Sequence, residues 1–247
     1  MNRIKRTGAV AERALAQLRE DRRFLILTLV FPLLIIYFIK VIFDVLANPF
    51  FNASVYVVPY GAFVVHFITF ILTAIVLVRE RTAGTLARMF VSGFTQLDII
   101  FGYLIAYSSL TTVQSLLVMS ELNWLFSLEY TAAQFFATYL VMWLLAVISM
   151  ALGILVSNFA RNEGQVIPFI PLVIISIILS GILLPVDRLP EWSQPLSRIT
   201  PLFYANQILQ ELISGGELHS NLSILAQLIL YGIAVMAIAM FTLREKD

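Results

Sequence analysis

The sequence predicts an all-α integral membrane protein. It has six transmembrane helices, an N-terminal amphipathic interfacial helix, and a short re-entrant or amphipathic helix before the last span. Three observations carry this. Of 247 residues, 60% are hydrophobic and 13% charged, with a mean hydropathy of +0.91, against roughly 45 to 50% apolar residues in a soluble domain. The apolar residues gather into six runs, most of them long enough to cross a hydrocarbon core of about 30 Å. The basic residues fall almost wholly in alternate connections between those runs, the pattern that sets the orientation of membrane helices.

Residues 1–23 place Arg3, Lys5, Arg6, Arg13, Arg19, Arg22 and Arg23 around Val10, Ala14, Leu15 and Leu18, which predicts a basic amphipathic helix on an anionic membrane face. It runs directly into the first span, and no small-residue cleavage site follows, so an uncleaved anchor is expected. Residues 24–247 form the transmembrane domain. Span one covers Phe24 to Phe43 and holds Pro32; Lys40 and Asp44, four apart, share a face at its end, an anchoring pair or a substrate contact. A turn follows at Asn48 and Pro49.

Span two covers Val55 to Val78 with His66 in its interior and Phe63, Phe67 and Phe70 around it. An ionisable group at membrane depth is a functional candidate, while a neutral imidazole bonded to a neighbouring helix is the plainer account. The phenylalanines line a path or pack against a neighbour; spacing does not separate the two. Thr95 and Asp98 have the spacing of a capping box, from which span three runs to Ser120. The connection Glu121 to Thr131 has aromatic residues and no Lys or Arg, as at an outer interface, and span four covers Ala132 to Val156. A polar turn precedes span five, Val166 to Leu184, where Pro168 and Pro171 free backbone groups. This span is expected to face protein rather than lipid. Residues 185–221 form the outer re-entrant segment, in which Thr200 caps a helix with Pro201 at its first position and an apolar stripe reaches Leu212. Span six runs from Leu222 to Leu243, leaving the tail Arg244 to Asp247.

Between spans two and three, Arg79 to Leu97 carries Leu86, Met89, Phe90 and Leu97 at helical spacing, with Arg81, Thr85, Arg88 and Ser92 opposite. Periodicity alone makes it an interfacial helix resting on headgroups. Counting Lys and Arg puts this loop, the turn at Arg161 and both termini on one side, with Arg188 and Arg198 on the other. Both termini are therefore expected to be cytoplasmic in a multi-pass protein of the cell membrane.

Chemistry of its own is hard to find. The chain has no Cys and two His, at 66 and 219, which leaves no thiolate site and no histidine metal cage. A net charge of +1 is no nucleic-acid signal. No phosphate-binding loop, zinc-protease motif or nucleophile elbow occurs, and the spans lack the paired acids of a proton relay. No catalytic residue, metal site or cofactor is expected, and energy must come from outside the chain.

Four features together resemble the membrane permeases of type-2 ABC exporters. They are Leu18 to Arg23 running into a Phe31-Pro32 first span; Arg79-Glu80-Arg81 followed by Gly84-Thr85-Leu86; Arg161-Asn162-Glu163 before span five; and Ser180-Gly181 with Pro185 and Pro190-Glu191-Trp192 ahead of the helix from Pro201 to Ile213. The resemblance implies that residues 79–97 form a cytoplasmic coupling helix docking on a separate ATPase subunit, which holds ATP and magnesium, through Glu80, Arg81, Gly84, Thr85 and Leu86. It implies a second permease copy or homologue, and a path lined by spans two and five, with Phe63, His66, Phe67, Phe70 and Ser180 as candidate path residues. Cargo of the drug, lipid or glycan classes is implied, and Phe-rich spans favour a hydrophobic or amphipathic one. Two other functions stay open on the residues themselves: a self-contained channel or secondary carrier, and a non-transporting membrane anchor.

Overall fold

The computed structural model describes residues 2–45 and 53–243, all of whose regular elements are helical. The predicted Asn48-Pro49 turn and the tail from Arg244 lie outside the described residues. The elements are α1 (Arg3–Glu20), α2 (Arg22–Val45), α3 (Ala53–Thr82), α4 (Thr85–Val91), α5 (Gln96–Phe126), α6 (Ala132–Ser157), α7 (Ile170–Leu179), α8 (Gln194–Ser197), α9 (Pro201–Ile213) and α10 (Leu222–Thr242). Short 3-10 turns precede α7, α8 and α10. Among the described residues, α2, α3, α5, α6 and the segment ending in α10 are long and apolar enough to cross a membrane.

The fifth predicted span is built differently from the others. Its first half, Glu163–Phe169, is a 3-10 helix and its second half is α7, ten residues long. Pro168 and Pro171 explain this, since each removes a backbone donor that an α-helix needs. At about 2.0 Å per residue the 3-10 half regains length, so the two pieces together extend about 29 Å. The expectation that this span packs against protein is met on one face, where Val166, Val173 and Ser176 are buried, while Ile167, Leu172, Ile174 and Ile175 on the other are exposed.

Helices α3 and α6 form the spine of the bundle. Gly153 allows their backbones to meet: a Cβ there would stand 2.7 Å from the Phe70 carbonyl oxygen, the small-residue contact that lets membrane helices pack closely. Helix α9, although too short to span, is built into the bundle, burying Leu202, Ala205, Ile208, Leu209 and Leu212. Thr200 caps it, its hydroxyl accepting from Phe203 N, with Pro201 at the start.

Apolar packing forms two large cores stacked along the bundle and a small third one of Ala74, Val78, Ala160 and Val166. Of the large cores, one joins Val57 to Val65 of α3, Val118 to Leu122 of α5 and Val141 to Ile148 of α6 with α9. The other joins Val76 and Leu77 of α3, the first half of α5 and Met150 and Ile154 of α6 with α1 and α4. Between them lie the buried polar residues His66, Thr69 and Thr73 on α3, Thr111, Gln114 and Ser115 on α5, and Ser149 on α6. Antiparallel helices of similar length bring their midpoints level, so polar residues scattered through the sequence become one layer.

Candidate functional site

Two places gather functional side chains: the basic end of the bundle, where α1, α3, α4 and α5 meet, and the polar layer halfway along it.

At the basic end the stretch from Arg79 to Leu97 is not one helix. It is the last turn of α3, a tight turn, the seven-residue α4, a second turn, and the start of α5. Gly84 makes the first turn possible. Its φ is +68° with nothing within 4 Å of where a Cβ would sit, so conformation and not space requires glycine there. The second turn ends in a capping box between Thr95 and Asp98, and Arg6 of α1 approaches it, donating to Gly93 O at 2.7 Å and lying 3.9 Å from Asp98. Leu86 and Met89 bury themselves in the same core as Val10, Ala14 and Leu18 of α1, which fixes α4 to the bundle. The other face of α4 shows Arg88 and Val91, the latter 86% exposed.

Glu80 is the key group of this end. It is 2% exposed, and its Oε2 accepts from Arg13 Nη2 of α1 at 2.8 Å. Arg13 Nη1 donates to Tyr103 of α5 at 3.2 Å, so one guanidinium ties three helices. Burial works against the charge on Arg13, but the hydrogen bond with Glu80 and the charges of Tyr103 and Glu80 outweigh it and raise its pKa above the ordinary arginine value. Glu80 Oε1 is buried with no partner among the described residues.

Arg81 does not lie on the solvent face that the helical stripe predicts. It turns inward and donates to Ser157 O, to Ala160 O at 2.9 Å and to Asn158 Oδ1 at 3.4 Å. A cation thus sits at the C-terminal end of α6, where the helix dipole is negative. Asn158 in turn donates to Ala239 O of α10 at 2.8 Å. Arg79, by contrast, makes an exposed pair with Glu163 at 2.7 Å. Thr85 accepts from Arg88 at 3.3 Å.

In the polar layer, His66 is buried and its Nδ1 lies 2.6 Å from Ser149 Oγ of α6; Thr69 donates to Gln114 at 3.1 Å. His66 and Phe70 also line a cavity of about 240 Å³ whose other walls include Phe169, Leu172, Ser176, Thr200 and Tyr231. Phe63 and Phe67 stack on each other at 5.8 Å and are not among the residues lining it. Ser180 is also elsewhere: its hydroxyl donates to Ile177 O, and its carbonyl accepts from Asn206 Nδ2 at 3.0 Å, joining the end of α7 to α9. No group of three or more His, Cys, Asp or Glu able to hold a metal occurs among the described residues.

Reading the sequence missed Arg13, Ser149, Asn158 and Val91. Arg13 carried a signal, since it sits three residues after Val10 and beside Ala14, within the apolar stripe of α1 and not on its solvent face. Ser149 carried none, as one serine in an apolar span is ordinary.

Comparison with known proteins gives a consistent picture. Residues 5–213 match the family model described as ABC-2 type transporter. ABC transporter G family member 20 of Dictyostelium discoideum is 29% identical over 182 residues, covering 71% of this chain and 24% of that protein. Two proteins of Escherichia coli are similar to this chain as well. The probable multidrug ABC transporter permease YbhR is 27% identical over 143 residues, 58% of this chain and 39% of its own length. The probable multidrug ABC transporter permease YbhS is 28% identical over 182 residues, 71% of this chain and 47% of its own length. The matched part of this chain spans less than half the length of each of these relatives.

Proposed function

Because this chain belongs to the ABC-2 type transporter family and is a multi-pass membrane permease, we propose that it forms the translocation path of an exporter driven by a separate cytoplasmic ATPase. The observation that carries this reading is the pairing of buried Glu80 with half-exposed Arg13 at the root of α4. A carboxylate buried against a guanidinium is costly to desolvate and directional once paired, which suits a joint that must transmit force and is wasted on a simple anchor.

In this reading α4 rests in a groove of the ATPase, with Val91 and Arg88 toward the partner and Leu86 and Met89 toward the bundle. ATP and magnesium bind on the partner chain, and closure of its subunits pushes α4. Gly84 and the turn at Gly93 let α4 be gripped without unwinding α3 or α5. Displacement passes through Glu80 and Arg13 to α1 and α5, and through Arg81 to the ends of α6 and α10. Both termini lie on the cytoplasmic side of the cell membrane. The exposed apolar face of Ile167, Leu172, Ile174 and Ile175 meets a second permease copy or a homologous one, which covers the second face of span five in the assembly. The multidrug label of the two E. coli relatives and the apolar cavity walls favour hydrophobic or amphipathic cargo.

The test is the double variant Glu80→Ala with Gly84→Pro, since proline cannot adopt the φ of +68° found at residue 84. Copurification of the ATPase and ATP-dependent export should both fall at least tenfold while the protein still inserts. Unchanged association and export would contradict the docking role. Flux through liposomes containing this chain alone, driven by an ion gradient, would replace the exporter reading with that of a carrier.

A further inference from the structure

The hydrogen bonds around His66 favour one tautomer. Ser149 Oγ stands 2.6 Å from Leu145 O and 2.6 Å from His66 Nδ1. A carbonyl has no proton to give, and two oxygens come this close only with a proton between them, so the single hydroxyl proton of Ser149 goes to Leu145. His66 must then hold its own proton on Nδ1 and donate it to Ser149. A neutral imidazole carries one proton, so Nε2 is left bare, an acceptor only.

That ring borders the 240 Å³ cavity, and no described residue offers Nε2 a partner. Of the other polar groups on the wall, two have spent their protons, and Thr200 accepts one hydrogen bond while keeping its own hydroxyl proton. Ser176 donates to Val173 O at 2.6 Å, Tyr231 donates to Ile199 O at 2.7 Å, and Thr200 accepts from Phe203 N. The rest of the wall is apolar, including Phe70, Phe169 and Leu172. At His66 the cavity therefore offers an acceptor in a largely apolar setting, where a polar atom left without a partner is costly.

We infer that this cavity, between α3, α6, α7 and α10, binds a molecule that donates a hydrogen bond from an apolar body, its hydroxyl or amine N–H taken by His66 Nε2. A molecule of the same shape that only accepts finds no partner at His66. That the occupant is cargo rests on the export function proposed above; that such a molecule binds does not.

The full chain in phosphatidylcholine nanodiscs, whose lipid carries no hydrogen-bond donor, labelled with ¹⁵N-histidine, tests this with no ATPase present. The sequence has two histidines, and His219→Asn leaves His66 as the sole imidazole signal. The expected spectrum shows a protonated Nδ1 and a bare Nε2. Adding 2-naphthol should shift Nε2, whereas 2-methoxynaphthalene, which lacks the O–H, should leave it in place. Binding of 2-naphthol should weaken about tenfold in His66→Phe, the scale of one net hydrogen bond. A proton on Nε2, or equal shifts with the alcohol and the ether, would overturn the inference. Binding without ATP-driven transport of 2-naphthol would leave the site standing and remove only its role as a cargo site.

Discussion

The basic end and the polar layer are both networks of buried polar groups, yet they are made of different chemistry. At the basic end the groups are charged and long: Arg13 reaches Glu80 and Tyr103, and Arg81 reaches three groups at the end of α6. In the layer they are neutral and short, and the contacts are pairs such as His66 with Ser149 and Thr69 with Gln114. Charged groups survive at the membrane edge because water and headgroups are near, and they give stiff, specific joints. Neutral groups are what a bundle can hold at depth without a large desolvation cost, and short side chains leave room for a cavity beside them. A joint that carries force and a place that admits a molecule are thus assigned to different depths of one bundle.

The contrast is broken most severely by Arg13→Ala. It leaves Glu80, 2% exposed, as an unpaired buried charge, and should destabilise the protein by about 3 kcal/mol, seen as a lower thermal unfolding midpoint in detergent. Glu80→Gln, which keeps an acceptor for the half-exposed Arg13, should cost about 1 kcal/mol. Equal costs would mean that burial of Glu80 does not set the energetics of this end. The smallest effect belongs to Arg79→Ala. Its pair with Glu163 is exposed on both sides, and such pairs contribute about 0.5 kcal/mol or less. A loss comparable to that of Arg13→Ala would show that exposed charge, and not the buried joint, holds the loop.

Much of the fold is legible in the sequence because it rests on local rules. Hydropathy over a run of about 20 residues gives α2, α3, α5, α6 and α10, and the Thr95–Asp98 and Thr200–Pro201 pairs give the starts of α5 and α9. Span five is read as an apolar span interrupted by Pro168 and Pro171, but composition does not say that the interruption takes the form of a 3-10 helix. At the basic end the sequence marks Glu80 and Gly84 but not Arg13, whose partner is 67 residues away. Arg81 is placed on the wrong face, since helical periodicity assumes that the helix continues past Thr82, where α3 ends. In the membrane interior His66 stands out by its chemistry alone. The layer to which it belongs, and the proton that Ser149 assigns to it, need three helices aligned at their midpoints, and no single window of sequence contains that alignment.

The most direct test of the account is where α4 points. The chain has no cysteine, so Val91→Cys introduces a unique thiol at a position 86% exposed on α4. In intact cells this thiol should resist a membrane-impermeant maleimide and, once the membrane is opened, should cross-link to the ATPase subunit in a manner that changes with ATP. Labelling of Cys at position 91 from outside intact cells would put α4 beyond the reach of any cytoplasmic ATPase and contradict the account.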